Sequence, residues 1–481
     1  MANWGARKTI LSDEDMAPEH RLKRSLGWQH LIALGVGAIV GTGILTLIGV
    51  GAAKAGPSVI LSFAIAGLIC ACAALAYAEM ATMIPASGSA YTYTYVVIGE
   101  LLAWIVGWSL ILEYSLVVSA VAVGWSGYAV PLLNDLMNFP DWLEHGPRMA
   151  GVLRDGTLHV AQWGFNLPAV FIIAVVAGLL ILGTRESANL NAVLVLVKIV
   201  ALIVFVAVAL PFFNSANFEP FMPFGFPKSG VPGSEVGVMA AAAIIFFAFY
   251  GFDAIATAAE EAKNPGRDLS IGIVGSMVAC VLIYMAVAGA AIGAISYTRF
   301  ANSPEPLALI LRELSAPWAA RYLAASAVIA LPTVILAFFY GQSRIFFVMA
   351  RDRLLPPNLA RVSSRGSPVR ITLFTATVVG VLAGLVPLDE LAALANAGTL
   401  TAFIAVCLCM LIMRRRAPDA PRKFKTPLPW VVGVFGIAGC AYLFYSLPQT
   451  TQIYFLWAHV VGLVIYLCYG ARRSVAGKAA A

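Results

Sequence analysis

Charge is scarce in this chain. Asp, Glu, Lys and Arg make up only 11% of its 481 residues, against about 25% in an ordinary soluble domain. Apolar residues make up 60%, and the mean hydropathy is +0.87. This balance excludes a water-soluble globular chain and leaves a polytopic membrane protein whose folding solvent is lipid. Other absences narrow the field. No H-E-x-x-H occurs, which argues against a zinc protease, and no G-x-x-x-x-G-K-[ST], which excludes an ATP-driven pump. An intramembrane aspartyl protease needs two membrane aspartates, and only Asp253 qualifies, because Asp389 reads as a loop residue. The seven cysteines all fall in apolar runs. The C-x-C pairs Cys70/Cys72 and Cys407/Cys409 have no His or further Cys beside them, so neither a disulfide framework nor a metal site is implied. The chain therefore reads as a non-enzyme with no cofactor. Its formal charge of +7 is not a nucleic-acid signal, since the basic residues lie in short loops between apolar runs, where they set topology. Met1 to Leu26 is polar and has no signal-peptide apolar region, so the first span is expected to act as its own insertion signal.

What is present is a series of apolar runs of bilayer length, about 20 residues each. Twelve are expected, at roughly 28–53, 57–84, 98–130, 168–184, 188–210, 236–259, 270–296, 320–348, 369–387, 391–413, 428–447 and 451–471. Counted by alternate loops, one side holds 23 Lys and Arg, the other seven, with Lys198 left inside a span. That asymmetry predicts both termini in the cytoplasm and a cytoplasmic-membrane location. Arg414-Arg415-Arg416 reads as a stop-transfer anchor. Residues 1–27 form a cytoplasmic N-terminal segment, 28–472 a single transmembrane domain and 473–481 a cytoplasmic tail. The longest loop, about Pro131 to Leu167, is extracytoplasmic, with room for short surface helices.

Two spans are interrupted at mid-depth. The first reads Leu34-Gly-Val-Gly-Ala-Ile-Val-Gly41-Thr42-Gly43-Ile-Leu45, and its glycines allow the backbone to leave helical geometry. A half-helix restarting there points free N–H groups at the bilayer centre, an end that suits an anion such as a carboxylate. The sixth reads Phe246-Phe-Ala-Phe-Tyr250-Gly251-Phe-Asp253, and a half-helix ending near Phe247-Ala248 leaves carbonyls that suit an ammonium group. A zwitterionic amino acid has one of each. Packing glycines and packing aromatics are the bland readings of the same residues. Breaks in spans 1 and 6 divide spans 1–5 and 6–10 into two halves of odd span number, which an inverted repeat requires.

Charges in hydrocarbon are seldom kept without a use. Lys198, seven residues from the polar end of its span, either snorkels or, desolvated, exchanges a proton and links the first broken helix to span 8, where Thr333 is the expected partner. Glu113 is read as a counter-charge for a cationic side chain or as a structural acid. Asp253 is read as a cap for the restarting half-helix or as part of gating. Glu79 is expected to pair with arginines of loop 8–9. Pro332 in span 8 frees a carbonyl in the expected pocket wall. His30 and His459 are expected near span ends.

These runs carry a family resemblance. Gly35-Val-Gly-Ala-Ile-Val-Gly-Thr-Gly-Ile44 resembles the first-helix signature of the amino acid–polyamine–organocation superfamily. Phe249-Tyr-Gly-Phe-Asp-Ala-Ile-Ala-Thr257 with Glu260-Glu261-Ala-Lys-Asn-Pro265 resembles its cationic amino acid transporter branch, as do Tyr340-Gly-Gln-Ser-Arg344, Met349-Ala-Arg-Asp352, Tyr77-Ala-Glu-Met80 and Pro85-Ala-Ser-Gly-Ser-Ala-Tyr91. The resemblance implies an all-α fold of twelve transmembrane helices, a five-plus-five inverted repeat with two C-terminal helices, and alternating access around a central amino-acid site, often with proton coupling. It implies that Gly41, Thr42 and Gly43 hold the substrate carboxylate, that Phe247, Ala248 and Tyr250 offer carbonyls to its amino group, and that Ile39 lines the pocket. It places Lys198 where sodium-coupled relatives hold a cation. The expected partners are an amino acid, protons and membrane lipids, with room for a small membrane subunit and none for nucleic acid. Symport, exchange and polyamine transport stay open, as do a channel and a substrate-binding sensor.

Overall fold

The computed structural model describes residues 5, 7–8, 26–85, 88–134, 140–147, 163–182, 188–232, 234–257, 262–356 and 369–474. Among them the chain is helical, with two isolated β-bridges and no extended strand. Among the described residues nine helices are long and apolar enough to cross a membrane, and three shorter apolar helices, at Trp28–Ile39, Leu167–Ile181 and Val369–Leu385, accompany them.

The first expected span is three pieces: α1 (Trp28–Ile39), α2 (Thr42–Leu45) and α3 (Leu47–Ala55). Then follow α4 (Val59–Met83), a short α5 (Ser89–Val97) and the 35-residue α6 (Glu100–Asn134), which runs on through Pro131. In the expected surface loop a single helical turn forms, α7 (Asp141–Glu144), and most of the rest of that loop lies outside the described residues. The chain continues through α8 (Leu167–Leu182) and α9 (Ala188–Ala209). The sixth expected span is again broken, into α10 (Val238–Ile245) with a 3-10 turn at Phe246–Ala248, and α11 (Asp253–Thr257). Beyond it lie α12 (Pro265–Ala294), α13 (Pro306–Glu313), α14 (Pro317–Arg351), α15 (Val369–Leu385), α16 (Leu388–Arg416), α17 (Pro429–Ser446) and α18 (Gln449–Ile465). The helices α5 and α13 fall in segments that the hydropathy pattern reads as loops between spans.

A broken helix in an apolar interior must find partners for the backbone groups it frees. Here side chains from neighbouring helices supply them. Lys198 of α9 donates to the Gly37 carbonyl at 2.9 Å, Tyr284 of α12 to Ile39 at 2.8 Å, and Tyr128 of α6 to Leu45 at 2.6 Å. In the sixth span, Asn396 of α16 donates its amide to the carbonyls of Ala243 and Ile244, at 2.7 and 3.0 Å. Pro332 lacks the N–H that would take the Val328 carbonyl four residues back, and Trp125 of α6 donates to that carbonyl instead, at 2.9 Å. An aromatic cluster wedges the sixth span in place: Tyr77 of α4 lies edge-on to Phe252 and Phe403, with centroids 5.6 and 5.3 Å apart, and Phe246 meets Phe403 at 5.7 Å. Such pairs add about 0.5–1.5 kcal/mol each beyond area burial.

At the end of the molecule that carries the basic loops, Glu79 is fully buried and accepts hydrogen bonds from Arg414 at 2.7 Å, Arg422 at 3.1 Å and the Thr426 amide at 2.9 Å. This corrects the expected pairing with loop 8–9. The bonds come from the end of α16 and the segment after it, because α16 packs beside α4 and brings its last turn onto the Glu79 carboxylate. Arg361 and Arg365 of loop 8–9 lie outside the described residues. Arg416 donates to the Val97 carbonyl and Arg415 stacks on Trp430. The triple arginine therefore folds into the protein. His459 is also corrected: it lies well inside α18, hydrogen-bonded to Ser109 of α6 at 2.9 Å and packed on Phe455.

Candidate functional site

Both breaks fall at one level and face each other across a small cavity. It measures about 10 Å3, room for roughly one water molecule. Its lining includes Ala38, Ile39, Gly41, Thr42 and Gly43 of the first span and Phe247 and Tyr250 of the sixth. The remaining walls are Val117 and Val121 of α6 and Val334 and Phe338 of α14. Six expected binding residues, Ile39, Gly41, Thr42, Gly43, Phe247 and Tyr250, are thus brought together. Ala248 stands behind them, against Gly43.

The two breaks touch so closely that side chains are excluded. A Cβ on Gly43 would lie 2.3 Å from the Ala248 Cα. Gly251 has φ +121°, and a Cβ there would meet the Ala38 backbone at 3.0 Å. Both positions need glycine for close approach or for left-handed backbone. The second piece of the first span opens at Thr42, where the first helical N–H groups have no preceding turn to bond. The Thr42 and Tyr250 hydroxyls are buried and have no hydrogen-bond partner among the described residues. They are two polar groups at a cavity otherwise walled by Ile, Val and Phe. Unpaired, each costs about 1–3 kcal/mol. Ligand atoms would relieve that cost.

Lys198 does not line the cavity. It is 3% exposed and ties α9 to Gly37 of α1 and, at 3.4 Å, to Thr333 of α14. Asp253 is buried, accepting from the Gly251 amide at 3.1 Å and from Tyr114 of α6 at 2.8 Å. It holds the turn that follows the break and connects it to α6. Glu113 precedes Tyr114 and sits one helical turn from Val117, behind the cavity lining. Its carboxylate is buried beside Thr399, and neither oxygen has a hydrogen-bond partner of good geometry among the described residues. The nearby Thr399 hydroxyl donates instead to the Ala395 carbonyl at 3.2 Å. Glu260 and Glu261 of the family motif lie outside the described residues.

Several functional residues escaped the sequence reading. Val117 and Val121 follow Glu113 at four-residue steps, so helical spacing alone puts all three on one stripe. That spacing was the available signal. Phe338 and Val334 lie on the span 8 segment already read as pocket wall. Asn396 carried no local signal, because a lone Asn in an apolar helix does not reveal which carbonyls it will meet.

The chain matches the family of amino acid permeases over residues 26–466. It is 43% identical, over 95% of each chain, to the branched-chain amino acid permease BcaP of Bacillus subtilis (strain 168). It is 38% identical to that organism's methylthioribose transporter, over 99% of this chain and 100% of the relative. It is 36% identical to the vacuolar cationic amino acid transporter 2 of Arabidopsis thaliana, over 89% of this chain and 66% of that longer one. With its broken helices and a family match over nearly its whole length, this chain belongs to the amino acid permeases of the amino acid–polyamine–organocation superfamily.

Proposed function

We propose that this protein moves neutral, aliphatic L-amino acids across the cytoplasmic membrane by alternating access, driven by protons. The reading takes the chain as twelve crossings, spans 1–5 and 6–10 forming the inverted repeat, with both termini cytoplasmic. One transmembrane domain, 28–472, is flanked by the short segments 1–27 and 473–481. One observation carries it: the start of one half-helix and the end of another meet at a cavity whose side walls are Ile39, Val117, Val121, Val334 and Phe338. The carboxylate takes the N–H groups of Thr42 and Gly43 and the Thr42 hydroxyl. The ammonium takes the carbonyls near Phe247 and Ala248. The side chain meets only apolar walls. A charged side chain placed there would lose its hydration without a partner, which is costly. The branched-chain specificity in the name of the Bacillus relative agrees with such walls. A 10 Å3 cavity is too small for an amino acid, so loading requires the α6 and α14 walls to move away from the breaks, and this supports a form closed between two open ones. Lys198 bridges α1, α9 and α14. Loss of its proton would weaken the hold on Gly37 and so couple protonation to movement of the first span.

The buried, unpartnered Glu113 favours a second reading, in which a longer cationic side chain reaches past Val117 to that carboxylate. Uptake into proteoliposomes, with all twenty amino acids as competitors at two pH values, tests both. Competition by leucine, isoleucine and valine but not arginine is expected. Competition by arginine alone selects the second reading, and none by any amino acid rejects both. Retention of pH-driven uptake in Lys198→Met would reject the coupling role.

A further inference from the structure

A second, larger cavity lies beyond the first along the same half-helix. Its volume is about 250 Å3. Thr46 and Val50 border it from the first span, Val123 from α6, Asn302 and Ser303 from the segment before α13, and Asp389 from the first turn of α16. Thr46 follows Thr42 by one helical turn. At 1.5 Å per residue the two cavities therefore stand about 6 Å apart along one axis. The chemistry of the two differs. The first offers backbone N–H groups and no charge. The second has a carboxylate, Asp389, which pairs with no cation among the described residues. Glu305 pairs with Arg312 and Glu313 with Arg299, while Glu390, next in sequence, adds its negative charge to that of Asp389. Thr46 is 3% exposed, and its hydroxyl has no hydrogen-bond partner among the described residues. Val50, Val123 and Leu388 complete an apolar side.

We propose that this cavity is a second binding site, selective for the ammonium end of an aliphatic molecule and standing in series with the central one. Asp389 takes the ammonium, the Thr46 and Ser303 hydroxyls complete its hydrogen bonds, and Val50 and Val123 take the hydrocarbon. Among the described residues no Arg or Lys lines the cavity, so it sets no cation against a carboxylate. An aliphatic primary amine therefore binds here while the central cavity, which selects for a carboxylate, rejects it. On the amino-acid reading above, an incoming substrate is held first by its ammonium and then passes one turn inward, where its carboxylate is caught.

The test uses the full chain in lipid nanodiscs, titrated calorimetrically with isobutylamine and, separately, with L-leucine. Isobutylamine is expected to bind one equivalent of the unmodified protein. Asp389→Asn should weaken it by at least about tenfold, since a charge-assisted hydrogen bond is lost, and Val123→Phe should abolish it by filling the cavity. Leucine should still bind both variants at the central cavity, which also shows that they are folded. In Gly43→Ala the pattern should invert, with isobutylamine affinity retained and leucine affinity weakened. Absence of saturable isobutylamine binding to the unmodified protein overturns the proposal. So does unchanged affinity in both Asp389→Asn and Val123→Phe. Failure of leucine alone to bind the unmodified protein would instead sink the amino-acid reading and leave the amine site standing.

Discussion

Replacing Gly43 by alanine adds one methyl group at the point where the two broken spans cross. An ideal Cβ there lies 2.3 Å from the Ala248 Cα, 2.6 Å from its Cβ and 3.1 Å from its nitrogen. Carbon atoms rest at about 3.5–4.0 Å, so the spans must separate by more than an ångström. Two of the colliding atoms are backbone, and no rotamer change relieves them. Overpacking of this kind costs about 1–3 kcal/mol. If that cost falls on the closed, substrate-holding form, it corresponds to roughly a 5- to 150-fold loss of apparent affinity. Gly41 is the internal control. Its Cβ would lie 3.5 Å from a Val334 methyl, an ordinary contact. Purified Gly43→Ala and Gly41→Ala are compared by equilibrium leucine binding and by thermal unfolding in detergent. The expected outcome is a large loss of affinity in Gly43→Ala and a small one in Gly41→Ala. Equal affinities in the two variants would refute the argument that direct contact of the breaks shapes the site.

Three further outcomes follow from buried polar groups. Glu79→Gln leaves Arg422, with a side chain only 2% exposed, beside a neutral partner. Breaking a buried pair costs about 3–5 kcal/mol, so its melting temperature should fall further than that of Arg415→Gln at the surface; equal melting temperatures would refute this. Asn396→Leu strips the Ala243 and Ile244 carbonyls of their donor. A destabilisation of about 1–3 kcal/mol is expected, and an unchanged thermal midpoint would mean that water or another donor serves those carbonyls. Lys8 bonds both oxygens of Asp352 at 2.8 Å, and burial holds its ammonium below the ordinary value of 10.5, with the Asp352 charge offsetting part of the effect. The folded state then sheds this proton at a lower pH than the unfolded chain does. Its contribution to stability rises with pH over the alkaline window just below 10.5. Lys8→Met should remove that rise from a pH series of unfolding midpoints, and an identical series would count against the burial of Lys8 as its cause.

Much of the fold was legible because its cause is local. An apolar run is helical in lipid whatever its neighbours, so most span positions agree with the helices to within a few residues. The breaks were legible too, since glycine and turn-forming residues mark where a helix can stop. Lys198 and Thr333 could be joined from sequence because each lay at a readable depth in its own span. The reading failed where partners were chosen by packing. Glu79 was assigned arginines of the wrong loop, because depth alone makes several basic loops equivalent. His459 was placed at a helix end, yet it lies inside α18 against Ser109.

The sequence by itself determined that this chain is an all-helical membrane protein with two interrupted spans and a few costly charges, since hydropathy, glycine placement and motif resemblance are properties of the linear string. The tertiary structure decided which side chains close the breaks and which walls face the cavity. Gly37, Ile39 and Leu45 find Lys198, Tyr284 and Tyr128 on three other helices. Val117, Val121 and Phe338 come to line the hollow, while Glu113 stays behind it. The physical reason is rotational: composition fixes that a helix lies in lipid, whereas only packing against its neighbours fixes which of its faces turns toward the centre.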